Sequence, residues 1–115
     1  MKRTEYHSVW EERRSGVRRR RDLAIKKAKV LAEFLRKEYK AKEVILFGSL
    51  IWRPEFLWRG SDIDLLVKGL EDKRYFEILS AISTLAHPFH VDLIPFKNAW
   101  PAIKRRALKR GMKLE

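Results

Sequence analysis

Three short stretches of this sequence place residue types where divalent-metal and phosphate chemistry needs them: Gly48-Ser49, Asp62-Ile63-Asp64, and the single aspartate Asp92. Residues i and i+2 of a strand point to the same face, so on a strand Asp62 and Asp64 project together while Ile63 and Leu65 face the core. Two carboxylates held side by side repel and raise each other's pKa unless a cation lies between them. Hard oxygen ligands at this spacing suit Mg²⁺, with Mn²⁺ as the alternative ion, since Mg²⁺ takes one or two carboxylates plus substrate phosphates. Asp92 stands in Phe89-His90-Val91-Asp92-Leu93-Ile94, where a lone carboxylate is costly to bury. Sharing a metal with Asp62 and Asp64 would account for it. Gly48 lets the backbone turn sharply and approach a phosphate closely. A helix start after it, with the Ser49 hydroxyl, would offer donors to that phosphate.

Each feature also has a plainer reading. Glycine-serine after a strand is often only a turn. Asp-x-Asp at a strand start is often an Asx turn or a solvated edge, and a single strand Asp can be ion-paired. The features gain weight from occurring together, in order, on the elements expected to carry them.

Those elements follow from the hydrophobic pattern. Residues 1–15 are polar and are expected to be frayed, with Ser15-Gly16 as a break before a domain over 16–115. A long basic helix starts with Arg18 to Arg21. Within it Ala24, Ala28, Leu31 and Leu35 recur at helical spacing, with Leu23, Lys27, Val30 and Phe34 beside them, and it ends near Tyr39-Lys40. Glu43 to Phe47 reads as a buried strand, 50–53 as a turn of helix closed by Pro54, and 62–68 as a second strand broken by Gly69. Residues 71–85 form a helix whose apolar face is Tyr75, Phe76, Leu79, Ile82 and Leu85. A third strand covers 89–96, and a last helix over 98–109 is capped at Gly111. Met112 to Leu114 adds a short edge strand. The order αβαβαβα predicts an α/β (α+β) fold, helices packed on a small mixed sheet.

The chain has 115 residues, enough for one core. At 45% hydrophobic it is too apolar for disorder, and its longest apolar run, Val44 to Phe47, is far too short for a membrane span. Its N-terminus lacks the apolar stretch of a secretory signal, and the absence of cysteine removes disulfides, thiolate metal sites and cysteine nucleophiles. These readings point to the cytoplasm. The net charge of +12 attracts nucleotides, nucleic acid or an acidic partner. Residues 1–22 hold eight basic and four acidic side chains, a net +4, so +8 is spread over the body. That distribution favours general surface charge over a nucleic-acid arm, with RNA kept as an alternative.

Gly48-Ser49, then Asp62-Ile63-Asp64, then Val91-Asp92-Leu93 resembles the signature of the polymerase beta superfamily, and more narrowly the minimal nucleotidyltransferases (MNT domains) of bacteria and archaea. Gly60-Ser61-Asp62-Ile63-Asp64-Leu65-Leu66-Val67 is its most specific part, and the likeness covers the body from the first helix to the last. It implies the nucleotidyltransferase fold, Mg²⁺ on Asp62 and Asp64, and Asp92 helping to bind metal and to activate the attacking hydroxyl. Gly48, Ser49, Arg53 and Ser61 would hold the nucleotide triphosphate, ATP. The pattern is not followed throughout. The gap between Ser49 and Asp62 is longer than usual and carries Trp52, Phe56, Leu57 and Trp58. Leu50 follows Gly-Ser where an arginine is usual, leaving Arg53 as the nearest substitute.

Trp52 and Trp58 are placed to stack on a base, to dock a partner, or to fold back on their own loop. Trp10 and Trp100 read as packing residues, and His7, His87 and His90 lack metal-ligand spacing. His90 shares a face with Asp92, with a structural role the plainer reading. The chain is expected to lack a second domain that would enclose a base or acceptor, so a partner would complete the site. The resemblance implies a HEPN-domain toxin as that partner, with AMP transferred from ATP to a toxin tyrosine and the chain acting as antitoxin. The competing expectations are transfer to a small molecule or RNA end, and a masking module without catalysis.

Overall fold

The computed structural model describes residues 2–48 and 62–115, and within the first helix the side chains of residues 15, 16 and 18 onward. Ser49, Arg53, Ser61, Trp52, Trp58 and the helical turn expected at 50–53 lie outside the described residues, as do the side chains of His7 and Trp10.

Helix α1 runs from Lys2 to Tyr39. Its core stripe is the one the spacing predicts: Ala24, Ala28, Leu31 and Leu35 are fully buried. The stripe is narrower than expected on one side, because Leu23 and Val30 remain 57% and 49% exposed, while Ala32 is buried instead. Three alanines in this stripe let the helix lie close against the sheet. The break expected at Ser15-Gly16 is absent, and the helix passes through it. One glycine costs a helix only about 1 kcal/mol, which the surrounding arginines, glutamates and lysines, good helix formers, offset. Lys40, at φ +57°, ends the helix, and the Ala41 N–H donates back to the Leu35 carbonyl at 3.2 Å.

Four strands follow: β1 (Glu43–Phe47), β2 (Ile63–Lys68), β3 (Val91–Pro95) and β4 (Met112–Leu114). They form a mixed sheet in the order β3-β2-β1-β4. β1 is antiparallel to both β2 and β4, whereas β3 is parallel to β2. Parallel neighbours need a crossover, and α2 (Tyr75–Ala86) supplies it, entered through a 3₁₀ turn at Asp72–Arg74. A second 3₁₀ turn, Phe96–Asn98, leads to α3 (Pro101–Arg110).

Helices cover both faces, which is why the strands are almost continuously apolar. On one face α1 and α2 pack on Val44, Leu46, Ile63, Leu65, Val67 and Leu93. On the other, Ile45, Phe47 and Leu66 pack with Ala99 and Ala107 around α3. The expected α/β fold with a small mixed sheet is the one observed. Among the described residues no helix is long and apolar enough to cross a membrane.

Two details correct the sequence reading. Phe76, expected in the core face of α2, is 82% exposed and meets Tyr75 edge-on at 5.3 Å, while Ile78 and Ala86 take the buried positions. Trp100, expected to pack, is 75% exposed in front of α3. Gly111 caps α3 as expected, in an extended conformation at φ −78°. Glycine is needed there for space: a Cβ would run into the Ala107 carbonyl oxygen and come within 2.6 Å of Ile45 Cγ2.

The continuity of α1 is open to test at Gly16, where an added Cβ would meet nothing within 4 Å. Gly16→Ala should stabilise the protein by about 0.5–1 kcal/mol in chemical denaturation, because alanine loses less backbone entropy in a helix. A helix that starts only at residue 18 would give no change.

Candidate active site

The strand register builds the site in rows. Phe47 on β1 pairs with Asp64 on β2, and Asp64 pairs with Asp92 on parallel β3. These three share the face that carries α3. One step along the strands, Ile45, Leu66 and Ile94 form an apolar row on the same face. Asp64 and Asp92 therefore stand side by side at the edge of a hydrophobic patch, with Asp64 the inner and Asp92 the exposed member.

Burial and charge act together on Asp64. Its carboxyl is pushed up to about 7, first by burial, then by the neighbouring charge of Asp92, and then by that of Asp62. Removal from water disfavours the ionised form, and two like charges nearby disfavour it further. Gly48, at the end of β1, lies against the Asp64 carboxylate. It has φ +83°, and a Cβ there would run into Asp64 Oδ2. The glycine is thus required twice, for its left-handed backbone and because only hydrogen fits against the carboxylate. The spacing of the sequence shows the first requirement and not the second.

Asp62 is the one buried charged residue among those described, 2% exposed. Both its oxygens are bonded: Oδ1 accepts from Arg20 Nη2 at 3.2 Å, and Oδ2 accepts from the His90 backbone N–H at 3.1 Å. Its own N–H and that of Ile63 donate to the His90 carbonyl at 3.0 Å each. His90 therefore serves the site through its backbone, while its side chain is exposed. The Arg20 guanidinium also lies 5.2 Å from the centre of the Phe89 ring. In the sequence Arg20 is one of four consecutive arginines at the start of a basic helix, and nothing there marks it for this role.

With Asp62 committed in this way, no group of three His, Asp or Glu side chains among the described residues is arranged to hold a metal ion. The donor set still fits a hard divalent cation at Asp64 and Asp92, because a positive charge there would relieve the desolvation and repulsion acting on Asp64. On the outer side of β3 a cleft of about 390 Å³ is bordered by Asp92, Tyr75, Asp72 and Asn98. The Tyr75 hydroxyl donates to the Leu93 carbonyl at 2.9 Å and holds the mouth of α2 against this edge strand. Burial, then the charge of Asp92, raises the Tyr75 hydroxyl above its usual range.

Residues 29–114 match the family model described as polymerase beta, nucleotidyltransferase. The match takes in the last part of α1, all four strands and the three aspartates. No curated protein matches the chain.

The raised Asp64 carboxyl has a definite consequence for stability without divalent cations. A carboxyl with a folded pKa above its unfolded one stabilises the fold while protonated, and that contribution is lost as pH rises through about 7. The metal-free wild type should lose stability relative to Asp64→Asn between about pH 5 and pH 8, with Asp64→Asn the more stable at the upper end by on the order of 1–3 kcal/mol. Denaturation curves at both pH values check this, and equal curves for the two proteins would contradict it.

Proposed function

We propose that this chain, which belongs to the polymerase beta nucleotidyltransferase family, transfers AMP from ATP to a tyrosine hydroxyl of a HEPN-domain partner protein and so acts as its antitoxin. The observation that carries the transfer chemistry is the register of the two parallel strands, which sets Asp64 beside Asp92 at the end of β1 where Gly48 turns the chain. The protein acceptor and the antitoxin role rest on the resemblance of Gly48-Ser49, Asp62-Ile63-Asp64 and Asp92 to the minimal nucleotidyltransferases.

In this reading Asp64 and Asp92 would hold Mg²⁺, with Asp62 the third carboxylate of the set. When bound, the ion neutralises phosphate charge and aligns the triphosphate for in-line displacement. The residues of the chain do the rest. Gly48 permits close approach of the phosphates, and Ser49, Arg53 and Ser61 are proposed to bind them. The acceptor hydroxyl enters by the cleft outside β3, where exposed Asp92 takes its proton. The acceptor oxygen bonds to the α-phosphorus, the bond from that phosphorus to the bridging oxygen breaks, and pyrophosphate leaves. Tyr75 and Asn98, on the cleft wall, orient the segment that carries the hydroxyl.

Incubating the protein with ATP, Mg²⁺ and a HEPN-domain partner encoded beside it should add one AMP mass to a partner tyrosine. Asp92→Ala should slow transfer by at least the roughly 10²–10⁴-fold share expected of a positioned base, and should also weaken Mg²⁺-dependent ATP binding, since one of the two cation ligands goes with it. Suppose the wild type neutralises the partner with no mass change, and Asp64→Ala/Asp92→Ala neutralises it equally well. The protein would then be a masking module and not a transferase.

A further inference from the structure

Arg20 stands where the sequence pattern of α1 calls for an apolar residue. It lies one helical turn before Ala24 in the series 20, 24, 28, 31 and 35, whose other members are all fully buried. An arginine at such a position needs a reason, and the structure supplies one in the buried carboxylate of Asp62. The two partners are unequal. The Asp62 side chain is 3% exposed and the Arg20 side chain 47%, so the guanidinium reaches in from solvent along the Phe89 ring. It meets Asp62 through Nη2, without the paired geometry of the strongest arginine–carboxylate bridges. Among the described residues, the other hydrogen bond to that carboxylate comes from the His90 N–H.

We infer that Arg20 is a built-in competitor of the divalent cation: it holds Asp62 as an ion pair, and Asp62 can join a metal at Asp64 and Asp92 only when Arg20 lets go. This rests on the reading of Asp64 and Asp92 as the cation site. The competition has two parts. A guanidinium cannot lose its proton, so it repels an incoming cation at every pH the protein experiences. It also occupies Oδ1, a lone pair that a metal would need. A half-exposed, singly bonded guanidinium is weakly enough held to be displaced. An arriving triphosphate is the natural agent, because it attracts the guanidinium more strongly than one carboxylate does. Cation and nucleotide would thereby be coupled through one side chain, and α1 becomes a regulatory element of the site.

Mn²⁺ titration followed by electron paramagnetic resonance, without nucleotide, tests this directly on the whole chain. Arg20→Met should bind Mn²⁺ about tenfold more tightly than the wild type, since a nearby positive charge is removed and a carboxylate oxygen is freed. Arg20→Lys, which keeps the charge, should stay near the wild type. The gain should vanish in Arg20→Met/Asp62→Asn, because it is made through Asp62. Should Arg20→Met fail to fold, Arg20→Gln carries the same expectation. Equal or weaker binding in the neutral variants overturns the inference, as does a gain that persists without Asp62, which would mark a general charge effect. Binding that also ignores Asp64→Asn and Asp92→Asn would overturn the proposed cation site, and this inference with it.

Discussion

A carboxylate partly out of water beside another carboxylate is an unfavourable arrangement that a fold keeps only by over-determining it. Asp64 is fixed from three directions. Hydrogen bonding of β2 between β1 and β3 sets its height, the row Ile45, Leu66 and Ile94 removes water from one side, and Gly48 closes the end. The parallel β2–β3 pairing brings Asp92 alongside, and that pairing exists only because α2 crosses the opposite face of the sheet. Much of the topology can thus be read as what it takes to keep two negative charges adjacent. Such a pair, with one member pushed up to about 7, is the arrangement in which a cation gains most.

The third carboxylate is balanced differently. Asp62 is more deeply buried than Asp64, yet it has an arginine and a backbone N–H as partners. Asp62 just before β2 and Asp64 within it represent two solutions to burying charge, pairing at Asp62 and readiness for protonation or a cation at Asp64. The link at Asp62 runs to α1, whose 38 residues match the longest dimension of the molecule, 60 Å. A site at the end of the sheet is in this way tied electrostatically to the helix that anchors the opposite face.

Much of this was legible in the sequence. The strands at Glu43–Phe47 and 62–68 announce themselves by apolar runs bounded by Gly48 and Gly69, and the α1 stripe by its spacing. The Asp62-x-Asp64 alternation and the isolated Asp92 mark the candidate site residues, because charges in apolar strands contradict their local context. What was not legible depends on contacts between elements far apart in sequence. Nothing in Arg18 to Arg21 distinguishes Arg20 until the distance to Asp62, 42 residues away, is known. Phe76 and Trp100 look like core residues by composition, but small offsets around α2 and before α3 turn them to solvent. Gly111 was recognised as a helix end for a conformational reason, whereas the steric crowding with Ile45 of β1 is a tertiary fact.

The central claim is that Asp64 and Asp92 together form the cation site of a nucleotidyltransferase. Crystals grown with Mn²⁺ and a non-hydrolysable ATP analogue would test it most directly, through the anomalous scattering of the ion. The account predicts one Mn²⁺ with oxygens of both Asp64 and Asp92 at about 2.1 Å, the distance hard octahedral cations take, and phosphate oxygens completing its shell. A fully occupied ion elsewhere, with the triphosphate bound away from the sheet face that carries these two residues, would contradict it.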